Sequence, residues 1–158
     1  MRKVNAREIY AASLILVIGI IYLAAQVASL FSMGSTTIKG DIIHLSKNEI
    51  LSHTRSILTI VLCFSGSILL LRARTAGWII SLAILLLLAT ISSGIFLSNV
   101  TGLNFSGIIL IVGIFLLVLA IIFLVQAGVR QKFSVTKKSY LSVFILFAVL
   151  AFFYFVLQ

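Results

Sequence analysis

The chain has 158 residues, of which 62% are hydrophobic and only 9% are charged. A soluble domain carries about 25% charged residues, and a globule of this size cannot hide so much apolar surface from water. The composition therefore excludes an ordinary water-soluble domain and predicts a protein dissolved in lipid. The net charge of +9 does not indicate nucleic-acid binding, because the basic residues are dispersed over short loops beside apolar segments.

Five segments are long and apolar enough to cross a bilayer, whose core of about 30 Å needs roughly 20 helical residues. They are residues 9–31, 49–71, 76–98, 105–127 and 140–157, with one long loop at 32–48. We predict an all-α fold, an integral membrane bundle of five transmembrane helices forming one domain, 1–158. A signal peptide is the alternative for the first segment, but its apolar stretch exceeds the usual length of about 7–15 residues.

Lys and Arg are concentrated in alternate loops, and cytoplasmic loops carry the excess of these residues. A cytoplasmic N-terminus, with the C-terminus outside, places nine of the twelve basic residues on the inner side. The nine are Arg2, Lys3, Arg7, Arg72, Arg74, Arg130, Lys132, Lys137 and Lys138. We expect them to meet anionic lipid headgroups of the inner leaflet. The short loops and the absence of proline favour a bacterial cytoplasmic membrane.

The entry to the second span gathers both histidines and two of the three carboxylates. The candidate residues for binding a ligand or headgroup are Asp41, His44, Glu49, His53 and Arg55. The simplest interpretation is an interfacial cap whose arginine extends to the membrane surface. Headgroup recognition or an outer-face metal-dependent or hydrolytic site stays open, although no spacing such as His-Glu-x-x-His is present. We predict no catalytic residue, resident metal or cofactor.

Small and polar side chains recur along the whole second span. At 100° per residue they share one helical face, and they are Ser52, Ser56, Thr59, Cys63 and Ser67. Small side chains let membrane helices approach closely, and hydroxyls can bond across helices. We expect this stripe, named here the α2 stripe, to face other helices. The alternative is a water path or ligand groove lined by the stripe.

The last span holds seven aromatic residues between Tyr140 and Phe155, which favour lipid anchoring or docking onto a partner. The alanines Ala24, Ala25 and Ala28 of the first span suit close packing in a bundle. No carboxylate lies centrally in any predicted span, which disfavours ion-coupled transport.

We therefore expect a non-enzymatic accessory or structural subunit of a membrane assembly, held to a protein partner or to further copies of itself. One alternative is a lipid- or small-molecule-binding protein, or a passive pore, that uses the α2 stripe. Another is an outer-face metal-dependent or hydrolytic enzyme that uses Asp41, His44, Glu49, His53 and Arg55.

Overall fold

The computed structural model describes residues 6–36, 47–98 and 105–155, with the side chains at 30, 32–36, 47–50, 105 and 106 outside that description. Every regular element in these ranges is a helix. They are α1 (Ala6–Thr36), α2 (Lys47–Leu71), α3 (Thr75–Ser98), α4 (Phe105–Val125), α5 (Ala127–Lys132) and α6 (Lys137–Phe155). All except α5 are long and apolar enough to cross a membrane. The described chain is thus an all-helical, multi-pass membrane protein.

The helices overlap the predicted spans but differ from them at several ends. α1 continues to Thr36, into the segment predicted as a loop, and α6 begins at Lys137 rather than at 140. Gln126 has extended backbone angles, φ −59° and ψ 144°, so α4 ends before it. The short α5 that follows is not predicted by the sequence pattern. Residues 37–46 of the predicted loop lie outside the described ranges.

α1 to α4 form a closed ring in which each helix packs on the next and α4 returns to α1. Short connections join neighbouring antiparallel helices in such bundles, and the connection between α2 and α3 has only three residues. α6 lies outside the ring and packs mainly on α3. α3 is therefore enclosed on more sides than any other described span.

The turn between α2 and α3 brings their backbones into close approach. The N–H of Arg74 donates to the carbonyl of Leu69 at 3.1 Å, and that of Ala73 donates to Leu70 at 2.9 Å, which is the Schellman pattern of a helix end. Ala73 has a φ of 52°, in the left-handed region. A Cβ on Gly77 would lie 2.3 Å from the backbone carbon of Leu69, so only glycine fits this position.

Among the described side chains, the buried core is concentrated at the end of the bundle where α1, α3 and α6 begin. We call this the basic end, because it carries Arg7, Arg72, Arg74, Arg130, Lys132, Lys137 and Lys138. The largest enclosed side chains lie in this half: Ile15, Leu70, Trp78, Leu85, Leu124 and Phe133. The opposite end, where α1 finishes and α2 begins, is named the open end. Ala24, Ala25 and Ala28, which the sequence suggested as bundle-packing residues, are exposed there.

Candidate functional site

Polar side chains fasten the helices to one another at the basic end. The carboxylate of Glu8 in α1 accepts a hydrogen bond from Lys132 Nζ of α5 at 2.5 Å. Trp78 Nε1 donates to the carbonyl of Leu124 at 2.9 Å, in the last turn of α4, where carbonyls have no partner within their own helix. These largely buried groups bond to other helices at this end of the bundle, which indicates a structural role.

A second polar group lies toward the open end and contains part of the predicted site. Asp41 and His44 lie outside the described residues, and the side chain of Glu49 does as well. His53 is described and half-buried. Its Nδ1 accepts a hydrogen bond from the side-chain amide nitrogen, Nε2, of Gln26 in α1. α1 and α2 are thus joined by an imidazole–amide contact near the entry to the second span.

Arg55 and Thr59 connect α2 to the far end of α6. The Thr59 hydroxyl hydrogen-bonds with the Tyr154 hydroxyl and also donates to the Arg55 carbonyl at 2.9 Å. The Tyr154 hydroxyl lies 3.3 Å from the same carbonyl, and the Arg55 guanidinium lies within electrostatic range of that hydroxyl. Tyr154 therefore brings the last helix to the polar entry of the second.

The residues form two hydrogen-bonded sets on α2, Gln26 with His53 and Arg55 and Thr59 with Tyr154. Both sets lie toward the open end, and we name the five residues together the open-end polar cluster. Its groups come from three different helices. They offer a guanidinium, an imidazole, an amide and two hydroxyls, a set that can recognise an anionic or strongly polar group.

The α2 stripe changes character along its length. Ser52 is exposed, and the Ser56 hydroxyl donates back to the carbonyl of Ser52 at 3.1 Å. Thr59 is buried and bonded to α6. Deeper still, Cys63 is fully buried beside Gly19 of α1, and the Ser67 hydroxyl donates to the carbonyl of Ala12 at 2.9 Å. The stripe therefore packs against helices in its deeper half and is more open at its start.

The described residues bring no three His, Cys, Asp or Glu side chains together into a possible metal site. The predicted outer-face enzyme site depends on Asp41, His44 and Glu49, whose side chains lie outside the description. It stays a prediction.

Sequence reasoning missed two members of the open-end polar cluster as site residues. Gln26 is an isolated amide within the first span, and Tyr154 stands among phenylalanines in the last. Their only signal is that each is a polar group within an apolar segment, where such groups are costly and tend to have partners. Tyr154 is 95 positions from Thr59, so no local spacing could join them.

Comparison with protein families, with curated proteins and with solved structures finds no match to this chain. A function has to be inferred from its own residues.

Proposed function

We propose that this protein is a non-enzymatic accessory or structural subunit of a membrane assembly, in which the outer face of α1 receives a partner helix. The observation that carries the proposal is an exposed row on α1 spaced by four, three, four and three residues: Val17, Ile21, Ala24, Ala28 and Phe31. This spacing matches the 3.5-residue repeat by which helices pack side by side. Its centre is made of alanines, which favour close approach in a bilayer.

The first half of α1 shows how this chain uses small residues. Ala11 and Ala12 are buried in the core, and a Cβ on Gly19 would lie 2.9 Å from the Cβ of Cys63 in α2. Small side chains thus bring α2 close to α1. In the second half, Ala24 and Ala28 are the same kind of residue but are exposed, which supports a further helix supplied by another subunit or another copy.

The test combines purification in mild detergent with two bulky substitutions on α1. The wild-type chain should purify with a partner, or with copies of itself, in a fixed ratio measured by native mass spectrometry. Ala24→Leu together with Ala28→Leu should release that partner, because the added side chains hold the backbones apart. Ala148→Leu is the matched control, since Ala148 is an exposed alanine of α6, and it should leave the complex intact. A monomeric wild-type chain would contradict the proposal.

We also propose that the basic end faces the cytoplasm of a bacterial cell and lies against anionic lipid. The excess of Lys and Arg at that end supports this orientation, and five spans then place the C-terminus outside. Reporter fusions at the two ends of the chain should give opposite results. The same result at both ends would overturn the proposed orientation.

A second candidate function is the binding of a lipid or small polar molecule at the open-end polar cluster. It is favoured by the two polar contacts that α2 makes toward this end, with α1 at His53 and with α6 at Thr59. In a Cys63→Ala background, cysteines placed at Ser56 and Thr59 should react with a water-soluble thiol reagent. A cysteine at Ala120, fully buried among the core residues, should remain protected. Protection at all three positions would remove this candidate.

A further inference from the structure

α4 and α6 both pack on α3 but make little contact with each other, and a groove remains between them. Its volume is about 590 Å³, within the range of roughly 300–1,000 Å³ found for ligand clefts. Leu82 and Leu86 of α3 line its floor, while Ile121 of α4 and Phe144 and Phe147 of α6 line its walls. The interior of the groove is therefore apolar.

The polar groups of the groove lie at the basic end. Lys137 and Tyr140, from the first turn of α6, line this part of the groove. Arg130 Nη1 donates to the Tyr140 hydroxyl at 3.3 Å, which places a second cation beside the same mouth. Lys137 and Arg130 are both exposed. An anion held at this mouth would meet two positive charges, while an attached chain could extend into the apolar interior.

The length of the groove fits one leaflet. Lys137 and Phe147, which line its two ends along α6, are separated by about 15 Å of helix at 1.5 Å per residue. This is about half of the roughly 30 Å hydrocarbon core. A transmembrane partner helix would contact the protein over the whole core, so the dimensions and the charged mouth favour a lipid chain.

We propose that this groove is a binding site for an anionic phospholipid of the leaflet at the basic end. One acyl chain lies between α4 and α6, and the headgroup phosphate is held by Lys137 and Arg130. The groove is separate from the exposed row on α1 that is proposed to receive a partner helix. An experiment that contradicts the lipid site therefore leaves the subunit proposal untouched, and the reverse also holds.

The chain carries its own reporter for this site. Trp78 is the single tryptophan and is fully buried. Its ring meets the Tyr140 ring edge-on, with centroids 5.3 Å apart, and its Nε1 is bonded to the carbonyl of Leu124. Trp78 is thus fixed directly behind the mouth of the groove, and its fluorescence should respond to a heavy atom inside the groove.

The experiment uses the full chain in phosphatidylcholine vesicles doped with phospholipids brominated on the acyl chain. Brominated phosphatidylglycerol should quench Trp78 at a several-fold lower mole fraction than brominated phosphatidylcholine. Equal quenching by the two lipids would overturn the headgroup preference. Quenching by neither lipid would show that protein covers the groove, which also overturns the proposal.

Two pairs of variants distinguish a specific lipid-binding site from general electrostatic attraction of anionic lipid to the protein. Lys137→Gln should bring the two quenching curves closer together, because one of the two cations is lost. Lys138→Gln, an exposed neighbour that does not line the groove, should preserve the difference. Leu141→Phe should fill the groove and weaken quenching by both lipids, whereas Ile145→Phe, on an equally exposed part of α6, should not. Equal losses from Lys137→Gln and Lys138→Gln would indicate diffuse charge attraction and overturn the site.

Discussion

The two ends of the bundle use polar side chains in different ways. At the basic end Glu8 and Trp78 are enclosed and bonded to other helices, and Gly77 lets two backbones touch. At the open end the polar groups meet between helices whose outer sides are largely exposed. Lipid tails are as apolar as leucine, so apolar burial alone does not hold membrane helices together. The helices pack tightly at the basic end because hydrogen bonds between polar groups and close backbone contact hold them together there.

The largest effect on stability is expected from a substitution in the Glu8–Lys132 pair of the basic end. Glu8 is fully buried, Lys132 is 14% exposed, and their charged atoms lie 2.5 Å apart. Glu8→Ala removes the carboxylate facing an enclosed ammonium, so we expect a loss of about 3–5 kcal/mol in the free energy of unfolding, measured by SDS titration in mixed micelles.

The double variant Glu8→Leu, Lys132→Met is the control for this pair. It should recover most of the stability, because neither member of this pair is left as an unpaired buried charge. A loss below about 1 kcal/mol from Glu8→Ala would be typical of an exposed ion pair. It would contradict the conclusion that the helices pack closely around this pair at the basic end.

Gly77→Ala is expected to have the next largest effect. Its Cβ would lie 2.3 Å from the backbone of α2, so α2 and α3 must separate at a cost of about 3 kcal/mol. Gly94→Ala is the matched control near the open end of the same helix, where a Cβ would meet nothing within 4 Å. It should be neutral or stabilising by up to about 1 kcal/mol. Equal losses in the two variants would show that the ends are packed alike.

The sequence was sufficient for the spans and insufficient for the contacts between them. Long apolar runs reveal a membrane helix whatever it packs against, so five spans were predictable. α3, α4 and α6 are apolar on nearly every side, and such helices do not indicate which face meets a neighbour. Within the α2 stripe, Ser67 donates to the carbonyl of Ala12 in α1, a partner that the spacing along α2 alone does not identify. α5 was missed because six residues carry too little periodicity.

The candidate site was only partly predictable for a related reason. His53, Arg55 and Thr59 attracted attention as polar residues grouped near one helix entry. Their partners Gln26 and Tyr154 stand alone in distant apolar segments, and only the tertiary packing brings them together.

A smaller effect of opposite sign is expected at Ala73. Its left-handed φ of 52° costs an L-residue roughly 1–2 kcal/mol. Glycine avoids this cost, but part of the gain is offset because glycine has more conformational freedom in the unfolded state. Ala73→Gly should therefore raise the unfolding free energy by about 0.5–1 kcal/mol. Ala148→Gly, inside α6, should instead lower it by about 1 kcal/mol. Destabilisation by Ala73→Gly would argue against this turn geometry.

The smallest effect is expected at the open end. Tyr154→Phe removes the hydroxyl that bonds to Thr59, and hydrogen bonds between membrane helices contribute about 0.6 kcal/mol on average. A double-mutant cycle with Thr59→Val should give a coupling of that order. A coupling above about 2 kcal/mol would mean that hydrogen bonds between helices stabilise the open end as strongly as the basic end.

The position of α6 outside the ring has a consequence for biogenesis. The four helices of the ring precede α6 in the chain, and Gly77, Glu8 and Lys132 all lie in segments that are translated before it. The segments that make the ring therefore leave the ribosome before α6 does. The outer position of α6 lets it pack on α3 without separating helices of the ring.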